Sequence, residues 1–100
     1  MTALETDSTL CISTPADLNA YNAGAFRDHA RANLQGEHTS IDIDMARTTF
    51  VDSSGLGALI SLHKMMAARG GSVRLIHPTK PVLQLIELTR MHRIFEILRA

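Results

Sequence analysis

Hydrophobic periodicity switches back and forth along this chain, and that alternation limits its fold more than any other feature. A weak strand-like run, Thr9–Ser13 (TLCIS), leads into a turn over Ser13-Thr14-Pro15-Ala16-Asp17. Asn19 is then placed to cap a helix reaching about Leu34, whose inward face carries Ala23, Phe26, Ala30 and Leu34 at helical spacing. Gln35-Gly36 stops that helix, because glycine accepts the left-handed conformation past a helix end. Ser40-Ile41-Asp42-Ile43-Asp44-Met45 alternates polar and apolar residues, the pattern of a strand with one wet face. Leu56, Leu59, Ile60, His63, Met66 and Ala67 fall along one helical stripe, which Arg69-Gly70-Gly71 ends with a basic last turn and a glycine stop. Ser72–Ile76 (SVRLI) is a strand, and Pro78-Thr79-Lys80-Pro81 opens another helix packed through Val82, Leu83, Leu85 and Ile86. Periodicity leaves residues 93–98 (RIFEIL) open between a last strand and a short helix.

Strand, helix, strand, helix, strand, helix and an ambiguous tail argue for an α/β fold with largely parallel strands and right-handed crossovers. One hundred residues suit a single domain over 1–100. A chain of that length buries roughly 60–70% of the surface that its unfolded form exposes, so it folds with little core to spare. Ten basic and ten acidic residues cancel, so no long-range attraction recruits nucleic acid or an anionic membrane. The single cysteine, Cys11, rules out an internal disulfide and reads as a buried, inert thiol in a reducing compartment. The opening residues, MTALETDST, lack a basic segment followed by an apolar core, and no apolar run approaches the ~20 residues that span a bilayer. The expectation is a cytoplasmic domain without membrane insertion.

The stretch FVDSSGLGALIS, residues 50–61, is where chemistry concentrates. A strand-like run ends at Phe50-Val51, and Asp52-Ser53-Ser54-Gly55 precedes a new helical pattern from Leu56. In α/β sheets, functional sites gather where a strand ends and the next helix begins. Three accounts fit the junction. In the first, Asp52 or Ser54 caps the helix for ~1 kcal/mol, and Gly55 and Gly57 let the helix approach the sheet. In the second, a hydroxyl at the helix start accepts a phosphoryl group carrying about −1.5 to −2 charges. The positive end of the helix dipole accommodates that charge while Asp52 opposes it, so the surface changes and the fold persists. In the third, a serine is a catalytic nucleophile. Val51-Asp52-Ser53-Ser54-Gly55 does not match G-x-S-x-G. His29, His38, His63, His77 and His92 are scattered and form no metal-ligand spacing such as H-E-x-x-H. Neither a Walker lysine nor a glycine-rich phosphate loop is present, so no cofactor and no metal are expected.

The segment from FVDSSGLGALISLHKMMAARGGSVRLIHPTKPVLQLIELTR to MHRIFEI resembles the STAS domain of bacterial anti-sigma factor antagonists. The resemblance runs from Asp17 to the C-terminus. Val51-Asp52-Ser53-Ser54-Gly55-Leu56-Gly57 carries it most specifically, supported by Gly70-Gly71 and by Leu88-Thr89 leading to Ile94-Phe95. It implies a mostly parallel sheet of four to five strands in a β/α superhelix, begun by an extra N-terminal strand. It implies a non-catalytic regulator, phosphorylated on Ser53 by an ATP-dependent anti-sigma factor that is also a serine kinase. The unphosphorylated form binds that partner and frees a sigma factor; a separate serine phosphatase restores it. The implied contact surface comprises Asn19, Asp52, Ser53, Ser54, Gly55, Leu56 and Gly57, with His63, Lys64 or Met65 on the following helix. The chain departs from the family's Gly-x-Leu-Asp turn, reading Ala16-Asp17-Leu18-Asn19, and has Arg90 where a glycine often follows Leu-Thr. The alternative is a STAS subunit docked, without catalysis, on the nucleotide-binding part of a bacterial ABC lipid transporter.

Overall fold

The computed structural model describes residues 3–6 and 8–99. Among the described residues there are seven strands, β1 (Ala3–Thr6), β2 (Thr9–Ser13), β3 (Asp17–Leu18), β4 (Ser40–Asp44), β5 (Phe50–Val51), β6 (Ser72–Ile76) and β7 (Glu96–Leu98), interspersed with three helices. These are α1 (Ala23–Asn33), α2 (Ser53–Ala67) and α3 (Lys80–Leu88). The main sheet has the order β1-β2-β4-β6-β7, with β1 antiparallel to β2 and every later pair parallel. Each helical crossover therefore carries the chain one place further in the same direction, and the expected mostly parallel α/β architecture with an extra N-terminal strand is what forms. The ambiguous tail divides: Met91–Arg93 is a 3-10 turn and Glu96–Leu98 is the last strand.

The strands alternate as their sequence does. Leu10 and Ile12, Ile41 and Ile43, and Val73 and Leu75 are buried on one face. Phe26 and Ala30 of α1, Leu59, Leu62 and Met66 of α2, and Val82 and Ile86 of α3 complete the same core cluster. Among the described residues all three helices pack on that face, and the other face is mostly polar. Thr9 and Ser40 share a hydroxyl hydrogen bond of 2.9 Å. Arg74 grips the Asp42 carboxylate through two bonds of 2.7 and 2.6 Å between paired positions of β4 and β6. Both side chains are partly exposed, so this pair contributes specificity of register more than stability. Cys11 lies half-buried on that face; burial, with help from the Asp42 charge, pushes its thiol pKa up.

Three sequence readings are corrected. Helix α2 buries Gly55, Ala58, Leu59, Leu62 and Met66, so its inward stripe is rotated from the expected one; Ala67 is exposed. Small residues face inward because the helix sits tightly against its neighbours, which a search for large apolar residues does not register. Helix α1 ends at Asn33 without a left-handed glycine: Leu34 is extended, with φ −80° and ψ 127°. The following loop is closed by bonds from Gln35 N–H to His38 Nδ1 (2.8 Å) and from the Arg69 guanidinium to the Gln35 carbonyl (2.7 Å). Asn19 is not the cap of α1, as described below. The Gly70-Gly71 stop holds, with Gly70 at φ +75° and no room for a Cβ at Gly71, 2.5 Å from the Thr39 carbonyl oxygen.

A two-stranded parallel ribbon, β3 with β5, was not foreseen in its first strand. It is tied to the carboxyl ends of the main strands by two buried threonines. The hydroxyls of Thr14 and Thr48 bond each other, and Thr48 Oγ1 also donates to the Pro15 carbonyl at 2.7 Å. Thr79, before α3, donates its hydroxyl to the Thr48 carbonyl. These bonds gather the loops that precede β3, β5 and α3.

Arg90 stands in the left-handed region at φ 60°, which costs a residue with a Cβ about 1–2 kcal/mol. Arg90→Gly removes that strain at the expense of a freer unfolded chain, and is expected to raise the thermal midpoint by about 3–6 °C in calorimetry. Cys11 should alkylate with iodoacetamide more slowly than a free thiol at pH 8, with its rate rising only above the ordinary thiol range; a rate equal to glutathione would contradict the burial described here.

Candidate functional site

Two segments 32 residues apart meet at the start of α2 through one side chain, Asp52. The ribbon brings it there. Asp17 pairs with Phe50 and Leu18 with Val51, and the Asp52 N–H closes the ribbon on the Leu18 carbonyl at 3.1 Å. Asp52 is extended, with φ −97° and ψ −173°, so its carboxylate turns back over the first turn of the helix. Oδ1 accepts the Gly55 N–H at 2.9 Å, an N-cap bond. Oδ2 accepts the Ala20 N–H at 3.0 Å. The Asp52 carbonyl accepts the Leu56 N–H at 2.9 Å and begins the helical ladder. The capping account of Asp52 is therefore correct, and the same carboxylate also holds the loop before α1.

That loop is built by two asparagines. The Asn22 side chain accepts the Asn19 N–H at 2.9 Å and donates to the Asp17 carbonyl at 2.7 Å. Asn19 Oδ1 accepts the Tyr21 N–H at 2.9 Å. Asn22 occupies the N-cap position of α1 without a side-chain cap bond, and the Asn19 backbone carbonyl takes the Ala23 N–H at 2.8 Å. Asn19 thus satisfies the helix start through its main chain, while its amide closes a local turn, a competition typical of asparagine.

Ser53 and Ser54 are the first two residues of α2, and both are exposed. Among the described residues, neither their hydroxyls nor their N–H groups have a hydrogen-bond partner, so the helix presents two free donors beside two free hydroxyls. Gly55 is buried, and a Cβ there would lie 2.4 Å from the Leu18 carbonyl oxygen and 2.9 Å from Val51 Cγ1. Gly57 is exposed and a Cβ would meet nothing within 4 Å, so only Gly55 serves the close approach expected of both. Leu56 is half-buried against the core.

The later helix residues stand apart. Rising 1.5 Å per residue, α2 carries position 64 about 16 Å from position 53. Lys64 is exposed there. His63 is half-buried, with its ring edge-on to Phe95 at 5.6 Å and its Nδ1 buried with no hydrogen-bond partner among the described residues. Met65 packs against the core. The structure thus brings Asn19, Asp52, Ser53 and Ser54 together and leaves His63 and Lys64 on the flank of the helix.

Two exposed aromatics at this junction were not singled out from the sequence. Tyr21 is 98% exposed and Phe50 51% exposed. The signal was present: Tyr21 lies in Asn-Ala-Tyr-Asn, off the apolar stripe of α1. Two surface concavities, each about 400 Å³, lie away from the junction, one lined by Ser13, Asp44, Ala46 and Arg47 and the other by Gln84, Glu87 and Leu88, while Ser53 and Ser54 line neither and are themselves exposed. The serines therefore sit on an open surface, which suits contact with a macromolecule better than enclosure of a small substrate. Among the described residues no helix is long and apolar enough to cross a membrane.

The STAS domain profile matches residues 1–100. The anti-sigma-B factor antagonist of Bacillus subtilis (strain 168) is 22% identical over 93 residues, covering 93% of this chain and 84% of that protein. The structure of the anti-sigma factor antagonist SpoIIAA in its unphosphorylated form superposes with a TM-score of 0.81 at 22% identity, covering 96% of this chain and 85% of that one. The Bacillus cell fate determinant SpoIIAA in its phosphorylated form superposes with a TM-score of 0.74 at 21% identity, covering 96% and 88%.

The two glycines should respond oppositely to the same change. Gly55→Ala drives a methyl into backbone and is expected to destabilise by about 2–3 kcal/mol in urea denaturation. Gly57→Ala has open space and gains helix propensity, up to about 1 kcal/mol. Equal effects would contradict the tight seat at Gly55.

Proposed function

The chain belongs to the STAS domain family, and from that premise we propose that it is an anti-sigma factor antagonist switched by phosphorylation of Ser53. Its unphosphorylated form binds an anti-sigma factor that is also an ATP-dependent serine kinase, so releasing a sigma factor; a serine phosphatase reverses the modification. The observation that carries this reading is the division of labour at the junction. Asp52 is engaged by both carboxylate oxygens, whereas the adjacent Ser53 hydroxyl is exposed and unbonded among the described residues.

Magnitudes support a switch that spares the fold. For a separation of about 5 Å under water-like screening, a phosphate dianion and the Asp52 carboxylate repel by about 1.5 kcal/mol. The positive end of the α2 dipole offers up to about 2 kcal/mol in the other direction. The two nearly cancel within the domain. A partner that buries the same surface must strip water from the dianion, which costs several kcal/mol without a compensating cation. Binding is the equilibrium that changes.

The contact surface in this reading centres on Asn19, Asp52, Ser53, Ser54, Leu56 and Gly57, with Lys64 and the exposed edge of His63 extending it along α2. Gly55 contributes by seating the helix, because it is buried.

Incubation with the anti-sigma kinase encoded beside its gene and ATP is expected to add one phosphate, located at Ser53 by peptide mass spectrometry. Ser53→Ala should bind that kinase as tightly as the parent and accept no phosphate. Ser53→Asp should weaken binding by at least tenfold in calorimetry, short of the effect of a true dianion. Modification only elsewhere would sink the reading. Co-purification with a transporter ATPase subunit, indifferent to Ser53→Asp, would replace it with the docking-module alternative.

A further inference from the structure

The chain has three phenylalanines, one tyrosine and no tryptophan. Phe26 and Phe95 are in the core, at 0% and 3% exposure. The other two, Tyr21 and Phe50, are the exposed ones, and both flank Asp52. Phe50 lies two positions before it at the start of β5, and Tyr21 follows Ala20, whose N–H is bonded to Asp52 Oδ2. A single exposed ring needs no explanation, but two exposed rings, each near Asp52 by chain position or by the Ala20 bond, mark this junction as a place for a contact surface.

We propose that Tyr21 is the aromatic anchor of the partner interface, inserting its ring into an apolar pocket on the anti-sigma factor. The 3.0 Å bond from the Ala20 N–H to Asp52 Oδ2 puts Tyr21 and Ser53 each one residue along the chain from a bonded pair, and both are exposed. The occupant follows from that bond: a partner of protein size that covers Ser53 reaches across the Ala20–Asp52 link to Tyr21. The inference rests on the antagonist reading and deepens it, naming a residue that determines which partner fits.

The loop is constructed for this task. Tyr21 is held by its own N–H on Asn19 Oδ1, and its neighbours by Asn22 on Asp17, Asn19 on Asn22, and Ala20 on Asp52. The backbone is ordered before any partner arrives, and a tyrosine loses only two side-chain torsions on docking. Rigid, exposed tyrosines are the residue type that dominates interface energetics when a pocket receives them. The same link explains how modification at Ser53 is felt at the anchor. A dianion beside Asp52 acts on the surface to which the Tyr21 loop is bonded, so both parts of the interface lose complementarity together.

Because Tyr21 is the sole tyrosine, biosynthetic 3-fluorotyrosine gives this protein a single fluorine resonance. The probe is the unlabelled serine-kinase anti-sigma factor encoded beside the gene, titrated while complex formation is followed independently by sedimentation. The fluorine line is expected to shift and broaden at one equivalent of partner, and to return to its free position once Ser53 is phosphorylated. Tyr21→Ala is expected to lower affinity about 30-fold or more, with thermal unfolding unchanged because the ring touches solvent. A complex that forms and dissociates on Ser53 phosphorylation, yet leaves the line in place and tolerates Tyr21→Ala, overturns the anchor while the antagonist reading stands. If no complex forms, that reading fails first and the anchor falls with it.

Discussion

Both oxygens of one carboxylate are committed at the start of α2, and the geometry of the junction follows from that commitment. Asp52 uses Oδ1 to satisfy the Gly55 N–H and Oδ2 to satisfy the Ala20 N–H. A hydrogen bond to a charged group is worth about 1.5–3 kcal/mol, so the pair is a strong local constraint in a small protein. Its consequence is positional more than energetic. The helix cannot rotate at its start without breaking one bond, and the loop before α1 cannot lift without breaking the other. Ser53, one residue further on, inherits that fixed position while keeping its hydroxyl free.

The constraint is backed from beneath. The ribbon of β3 and β5 is only two residues wide on each strand, too short to persist alone. It is held by the paired hydroxyls of Thr14 and Thr48 and by the Thr49 N–H on the Ala16 carbonyl at 2.9 Å. Gly55 lets the helix rest directly on the Leu18 carbonyl. Rigid scaffold and exposed chemistry are thus separated by a single residue. In a chain of zero formal charge, a phosphate dianion at that place would set the sign of the whole molecule as well as of the patch. A surface change of that size needs no rearrangement of the core to alter which proteins can bind.

Legibility from the sequence divided along physical lines. Strands β2, β4 and β6 and all three helices were readable because each has enough residues for its own period to show, whereas β1 came only with the family resemblance and β7, three residues long, stayed open between strand and helix; the cap at Asp52 was readable because capping is a local preference. The first strand of the ribbon was not readable, since Asp17-Leu18 is extended only because Phe50-Val51 lies beside it. The stripe of α2 was misjudged by about one residue in register, because Gly55 and Ala58 face inward for lack of bulk and not for hydrophobicity. Asn19 and Asn22 both have capping chemistry, and which of them ends up at the helix start depends on the loop's bonds to Asp17 and Asp52. Arg90 takes a glycine's backbone conformation, which no local propensity would assign to it.

The amino-acid order by itself determined the layering of this protein, one wet and one buried sheet face, and the chemistry of the strand-to-helix junction, because periodicity and capping act over a few neighbouring residues. Only the tertiary structure decided that Ala20 hangs from Asp52, that Gly55 alone of its pair is pressed against backbone, and that Tyr21 stands exposed next to the Ala20 that this bond holds. Those facts depend on contacts between segments far apart in the chain, whose geometry exists only once the sheet has brought them together.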